Sequence, residues 1–187
     1  MPLSPAQPRR LLHTRQAHYE GFEREDGLFD IEASLLDTKT FAFEVPGERI
    51  WEAGDAVHRM FIRLTVDLQL TVKDIEVAMD DRPHPECMGA QAPMRRVIGC
   101  SLRRGWRQAI EERLGKMQGC AHLRELLFNM GTAAFQTLAR KLNQGQEQAG
   151  LPPAAMGGCL AWDPRGTMVA RIYPQFYIDP AAPKGSP

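Results

Sequence analysis

The sequence predicts an α+β domain, an antiparallel sheet with two main helices packed on one face. Three observations carry that prediction. The first half of the chain alternates apolar and polar residues with period two. An Asp26-Gly27 pair separates two such runs, and Gly takes the positive φ of a tight hairpin turn at no steric cost. The second half carries two apolar stripes at helical spacing.

Residues 1–10 are polar and proline-bearing and read as a flexible tail. Leu11 to Glu23 reads as a strand, and Leu28 to Asp37 as its hairpin partner. In the partner, Phe29, Ile31, Ala33 and Leu35 share one face, with Asp30, Glu32 and Ser34 on the other. Residues 38–55 are punctuated by Pro46-Gly47 and Gly54 and read as irregular.

Ala56 to Asp67 alternates most clearly. His58, Met60, Ile62, Leu64 and Val66 fall on one face, and Arg59, Phe61, Arg63, Thr65 and Asp67 on the other. Leu70 to Met79 returns after a short connection, which implies antiparallel pairing. Two prolines make Asp80 to Cys87 a loop.

Pro93 to Leu114 reads as a helix with the stripe Ile98, Leu102, Trp106, Ile110 and Leu114. The longest helix is expected from Met117 to Asn143, with Leu123, Leu126, Leu127, Met130, Ala134 and Leu138 as its buried stripe. Cys159 to Tyr177 reads as two short extended pieces around the turn Asp163-Pro164-Arg165-Gly166. Residues 11–178 are thus expected to form a single domain, followed by a disordered tail at 179–187.

Lys plus Arg equals Asp plus Glu, so bulk electrostatic attraction to nucleic acid or to an anionic membrane is not expected. No apolar run approaches the roughly 20 residues that span a bilayer. The chain shows no phosphate-cradling glycine loop and no dinucleotide fingerprint. The N-terminus lacks a signal-peptide apolar run, so the expected location is the cytoplasm, where the four cysteines stay reduced. Reduced cysteines serve as metal ligands, nucleophiles or small buried residues.

Two places carry chemistry. The main helix opens Gly119-Cys120-Ala121-His122-Leu123, which puts a thiol and an imidazole at a helix N-terminus. The free N–H groups and dipole there favour a thiolate. The acidic loop holds His84 and Cys87 at legal ligand spacing. Brought together, Cys87, Cys120, His122 and His84 form a mixed Cys/His set suited to zinc or iron. With no metal, Cys120 as nucleophile and His122 as base describe a thiol enzyme. A third alternative is a binding module with packed cysteines. Cys100 reads as core, and Cys159 as a cysteine buried in a strand. The Arg95, Arg96, Arg103, Arg104 and Arg107 cluster reads as a solvated face.

The sequence resembles an uncharacterised bacterial domain family. The resemblance rests on Arg24 to Glu32, Leu36-Asp37-Thr38-Lys39, Val57 to Asp67, Pro85-Glu86-Cys87 and Gly119 to Leu123. It covers about Arg10 to Pro174 and implies no particular activity. More loosely, Met60 to Lys141 resembles iron–sulfur cluster scaffold proteins in the order of its parts. That likeness implies Cys87, Cys120 and His122 as cluster or zinc ligands, although here the His follows the Cys by two positions instead of preceding it. The expectation is a cytoplasmic metal-binding protein with an accessory or sulfur-handling role and the capacity to form a homo-oligomer.

Overall fold

The computed structural model describes residues 3–180; residues 1–2 and 181–187, which include most of the expected C-terminal tail, lie outside the described residues. The chain forms two compact units, Met1–Thr137 and Leu138–Pro187.

The first unit is built on a four-stranded antiparallel sheet. Its strands are β1 (His13–Glu23), β2 (Phe29–Lys39), β5 (Ala56–Val66) and β6 (Val72–Asp81), in the order β1-β2-β5-β6. The Asp26-Gly27 hairpin forms as expected: Gly27 sits at φ +82°, and Asp26 Oδ1 accepts from the Leu28 N–H at 3.2 Å. Residues 38–55 also contain a small hairpin, β3 (Phe43–Glu44) with β4 (Ile50–Trp51). Trp51 is buried there and stacks on Phe43.

Alternation decides the faces. Phe29, Ile31, Ala33 and Leu35 of β2 and Met60, Ile62, Leu64 and Val66 of β5 are buried. Across the opposite face run exposed ion pairs, with Arg63 donating to Glu32 at 2.7 Å and to Glu76 at 2.9 Å. Exposed pairs of this kind add little stability but keep one face of the sheet wet.

The segment 93–114 is a correction. It is not one helix but a 3₁₀ turn (Ala92–Val97), an extended link and a short helix α1 (Trp106–Leu114). Gly99 and Gly105 take φ +83° and +76°, which break any continuous helix. Between them the backbone pairs with the start of β6, with Val72 N donating to Cys100 O and Leu102 N to Leu70 O. The apolar stripe survives the break, except that Ile98 is 36% exposed.

Helix α2 (Ala121–Gln148) is the long helix expected, starting four residues later and ending five later. Its stripe Leu123, Leu126, Leu127, Met130 and Ala134 is fully buried. Two contacts lay it along the inner side of β1. Arg15 donates to Glu125, and a side chain at Gly21 would strike Thr137. The Trp106 indole N–H donates to Leu127 O at 2.7 Å, which fastens α1 to α2. Cys100 is buried, as expected of a core cysteine.

In the second unit, the loop after α2 folds back on the helix, with Ala154 N donating to Asn143 Oδ1 at 3.0 Å. The predicted turn at Asp163 forms, with Arg165 N donating to Asp163 Oδ1. The flanking extended pieces do not form. Leu160–Trp162 is a 3₁₀ turn and Thr167–Ile172 is helix α3, whose Val169 is buried. A run this short offers no sequence period that separates strand from helix. Cys159 is exposed, which corrects its reading as a strand-buried residue.

No helix among the described residues is long and apolar enough to cross a membrane.

Candidate metal centre

The centre is assembled at one end of the sheet, on its helix-covered face. Asp37 continues the buried face of β2 two residues beyond Leu35 and is 3% exposed. Strand register sets its neighbours. Arg15 of β1 and His58 of β5 stand directly opposite Asp37, and residues paired across a ladder share a face.

The Asp37 carboxylate accepts on both oxygens. Arg15 donates through Nε to Oδ1 and through Nη2 to Oδ2, both at 2.8 Å. His13 Nε2 lies 3.0 Å from Oδ1, and His58 Nδ1 lies 3.0 Å from Oδ2. Burial alone pushes the Asp37 carboxyl up. The hydrogen bonds from Arg15 and His13, with the charges of Arg15 and His58, outweigh it and hold the pKa at about 2. For His58, burial is the largest influence and lowers its pKa despite the nearby Asp37.

Helix α2 brings the third imidazole. His122 stands in its first turn, half-buried, with its ring tilted 37° over the His58 ring at a centroid distance of 3.9 Å. Its Nε2 lies 4.0 Å from Asp37 Oδ2, and its Nδ1 lies 3.8 Å from Cys120 Sγ. Cys120 caps the helix, its carbonyl accepting from Arg124 N at 3.0 Å. Burial raises the Cys120 thiol, but hydrogen bonds from His122 and the Leu123 and His122 backbone N–H groups bring it below the ordinary thiol value.

The four residues singled out from the sequence are distributed as follows. Cys87 and Cys120 line one cleft of about 460 Å³, together with His84, Glu86, Met117 and Gly119. His122 turns from Cys120 toward Asp37 and His58. His84 pairs with Glu48, its Nδ1 lying 3.3 Å from Glu48 Oε1. Among the described residues, two groups of three His, Cys, Asp or Glu donors lie within 4.8 Å of one another. They are Asp37/His58/His122, which is buried to half-buried, and Glu48/His84/Glu86, which is exposed. Neither contains a cysteine.

Sequence reasoning missed Asp37, His58, His13 and Arg15. The signal available was parity. Asp37 and His58 are polar residues placed in step with the buried alternation of their strands, where an apolar residue belongs unless a partner compensates it.

A model of a family described as a protein of unknown function (DUF2889) matches residues 13–136, a span that holds all of these residues. No curated protein and no solved structure matches the chain, so the resemblance to cluster scaffolds gains no support. With the match covering most of the chain and every residue of the centre, the protein belongs to the DUF2889 family.

Proposed function

We propose that this protein binds a transition metal, zinc or iron(II), at Asp37, His58 and His122. The observation that supports the reading is the gathering of three ligand atoms from β2, β5 and α2 within 4.8 Å of one another. Two imidazoles and one carboxylate suit zinc, and equally a ferrous site of the two-histidine, one-carboxylate type. Three protein donors leave coordination positions open, as catalytic metal sites require. His13 and Arg15 hold the carboxylate from behind, so Asp37 offers the metal a single oxygen. The test is metal analysis of protein purified without oxygen. Stoichiometric zinc or iron, lost in His58→Ala and in His122→Ala, is the expected result. Metal-free wild-type protein that takes up neither ion would exclude the reading.

A second reading is favoured by Cys120, which lines the cleft and whose thiol has a lowered pKa and an imidazole at 3.8 Å. Here Cys120 is the nucleophile of a thiol enzyme, His122 takes its proton, and Asp37 stands behind the ring. Metal-free protein alkylated faster at Cys120 than at the exposed Cys159, near neutral pH, is the expected outcome. Equal rates at the two thiols would remove this reading.

A further inference from the structure

Given the metal reading above, on which this step rests, we infer that Cys120 is not a ligand of the metal. It is the positioning residue for His122, accepting the Nδ1–H of the imidazole whose Nε2 holds the ion.

The two nitrogens of an imidazole point away from each other, and a neutral imidazole carries one proton. Asp37 Oδ2 lies off Nε2 at 4.0 Å, and Cys120 Sγ lies off Nδ1 at 3.8 Å. An ion shared with Asp37 and His58 therefore sits on the side of the ring away from the sulfur. The donor grouping agrees, since the thiol is not among the atoms within 4.8 Å. Once Nε2 ligates, the proton resides on Nδ1 and needs an acceptor. Ligating histidines ordinarily donate that proton to a carboxylate or a carbonyl. Here the sulfur two residues earlier stands in that place, held at the helix cap by its own backbone.

Two consequences follow. The inner shell contains nitrogen and oxygen only, so the open positions suit water or an oxygen-donor ligand. Cys120 also lines the cleft, and Asp37, His58 and His122 are not among its lining residues, so a molecule in the cleft meets Cys120 without meeting the metal ligands.

Cobalt(II) is the probe. It is added to metal-free full-length protein carrying Cys87→Ser and Cys159→Ser, so that Cys120 is the accessible thiol. The expected spectrum has visible ligand-field bands and no thiolate-to-cobalt charge-transfer band. Cys120→Ala should lower cobalt affinity about 10–100-fold, as loss of an outer hydrogen-bond partner does, and Cys120→Ser should recover part of it. A charge-transfer band that disappears in Cys120→Ala would make the sulfur a direct ligand and overturn this inference while leaving the metal reading intact. Unchanged affinity in Cys120→Ala, with circular dichroism showing both variants folded, would also overturn it. Absence of any cobalt or zinc binding would remove the metal reading and this inference together.

Discussion

His58 Nδ1 stands 3.0 Å from Asp37 Oδ2, across the same β2–β5 ladder that pairs their backbones. The contact is direct strand-to-strand geometry, and it puts a carboxylate that is 3% exposed in a place where Leu or Val would fit the pattern. A group so placed requires compensation, and Arg15, His13 and His58 supply it.

Asp37→Asn should therefore destabilise the fold. It leaves Arg15 without its bidentate acceptor and His58 without a charged one. Removing one partner of a fully buried pair costs about 3–5 kcal/mol, and the partial exposure of Arg15 and His13 brings the expected loss to about 2–3 kcal/mol. Urea denaturation measures it. The same variant should take up no zinc, and a variant that binds zinc as the wild type does would show that Asp37 is not a ligand.

The pH dependence has a definite sign. The folded Asp37 pKa of about 2 lies below the ordinary 3.8. Its contribution is complete above 3.8 and is lost as pH falls toward 2, worth at most about 2.5 kcal/mol by linkage. His58 is also lowered, so the fold favours its neutral form, and stability declines as pH falls below 6.5. Denaturation midpoints of metal-free protein should drop in two stages, one below 6.5 and one below 3.8. The second stage should shrink in Asp37→Asn, with Asp67, also held low by its bond to Lys73, keeping part of it.

Two glycines are needed for different reasons. Gly27 has open space around it but a φ of +82°, so Gly27→Val should cost about 1 kcal/mol or more through backbone strain. Gly21 faces Thr137 so closely that any side chain must displace α2 from β1. Gly21→Val should cost about 1–3 kcal/mol, and Thr137→Ala should relieve part of that cost. A double-mutant cycle showing no coupling would place α2 elsewhere.

Trp106 contributes a hydrogen bond as well as bulk. Trp106→Phe keeps an aromatic ring in the core but removes the donor to Leu127 O. The expected loss is about 1–2 kcal/mol. Metal affinity should be unchanged, since the bond lies away from Asp37, His58 and His122.

The cysteines should separate by accessibility. Cys159 is exposed and Cys100 buried, with Arg113 Nε 3.1 Å from its sulfur. In native protein Cys100 should resist alkylation. Cys100→Ser should leave metal binding intact, as should Cys87→Ser if the centre is Asp37/His58/His122. Loss of metal in Cys87→Ser would instead favour the mixed Cys/His set.

By itself the sequence determined what is local. A positive φ at Asp26-Gly27, period-two burial along residues 29–37 and 56–66, and the stripe from Leu123 to Leu138 are each written within a few turns or strand steps of chain. The failures were local ambiguities of the same kind. The stripe from Ile98 to Leu114 keeps a spacing of four, yet Gly99 and Gly105 break it, because burial at that spacing does not require a continuous helix. The centre belonged to tertiary structure. Parity told which face Asp37 and His58 occupy, but not that β2 and β5 pair in a register that sets them opposite each other. Nor could it tell that β1 adds Arg15 at the same level, or that α2 begins where His122 reaches both. Those residues span Arg15 to His122, and only the pairing of four separate elements closes such distances. The sequence alone kept Cys120 and His122 together, two residues apart. The fold then turned the imidazole toward Asp37 and left Cys120 lining the cleft.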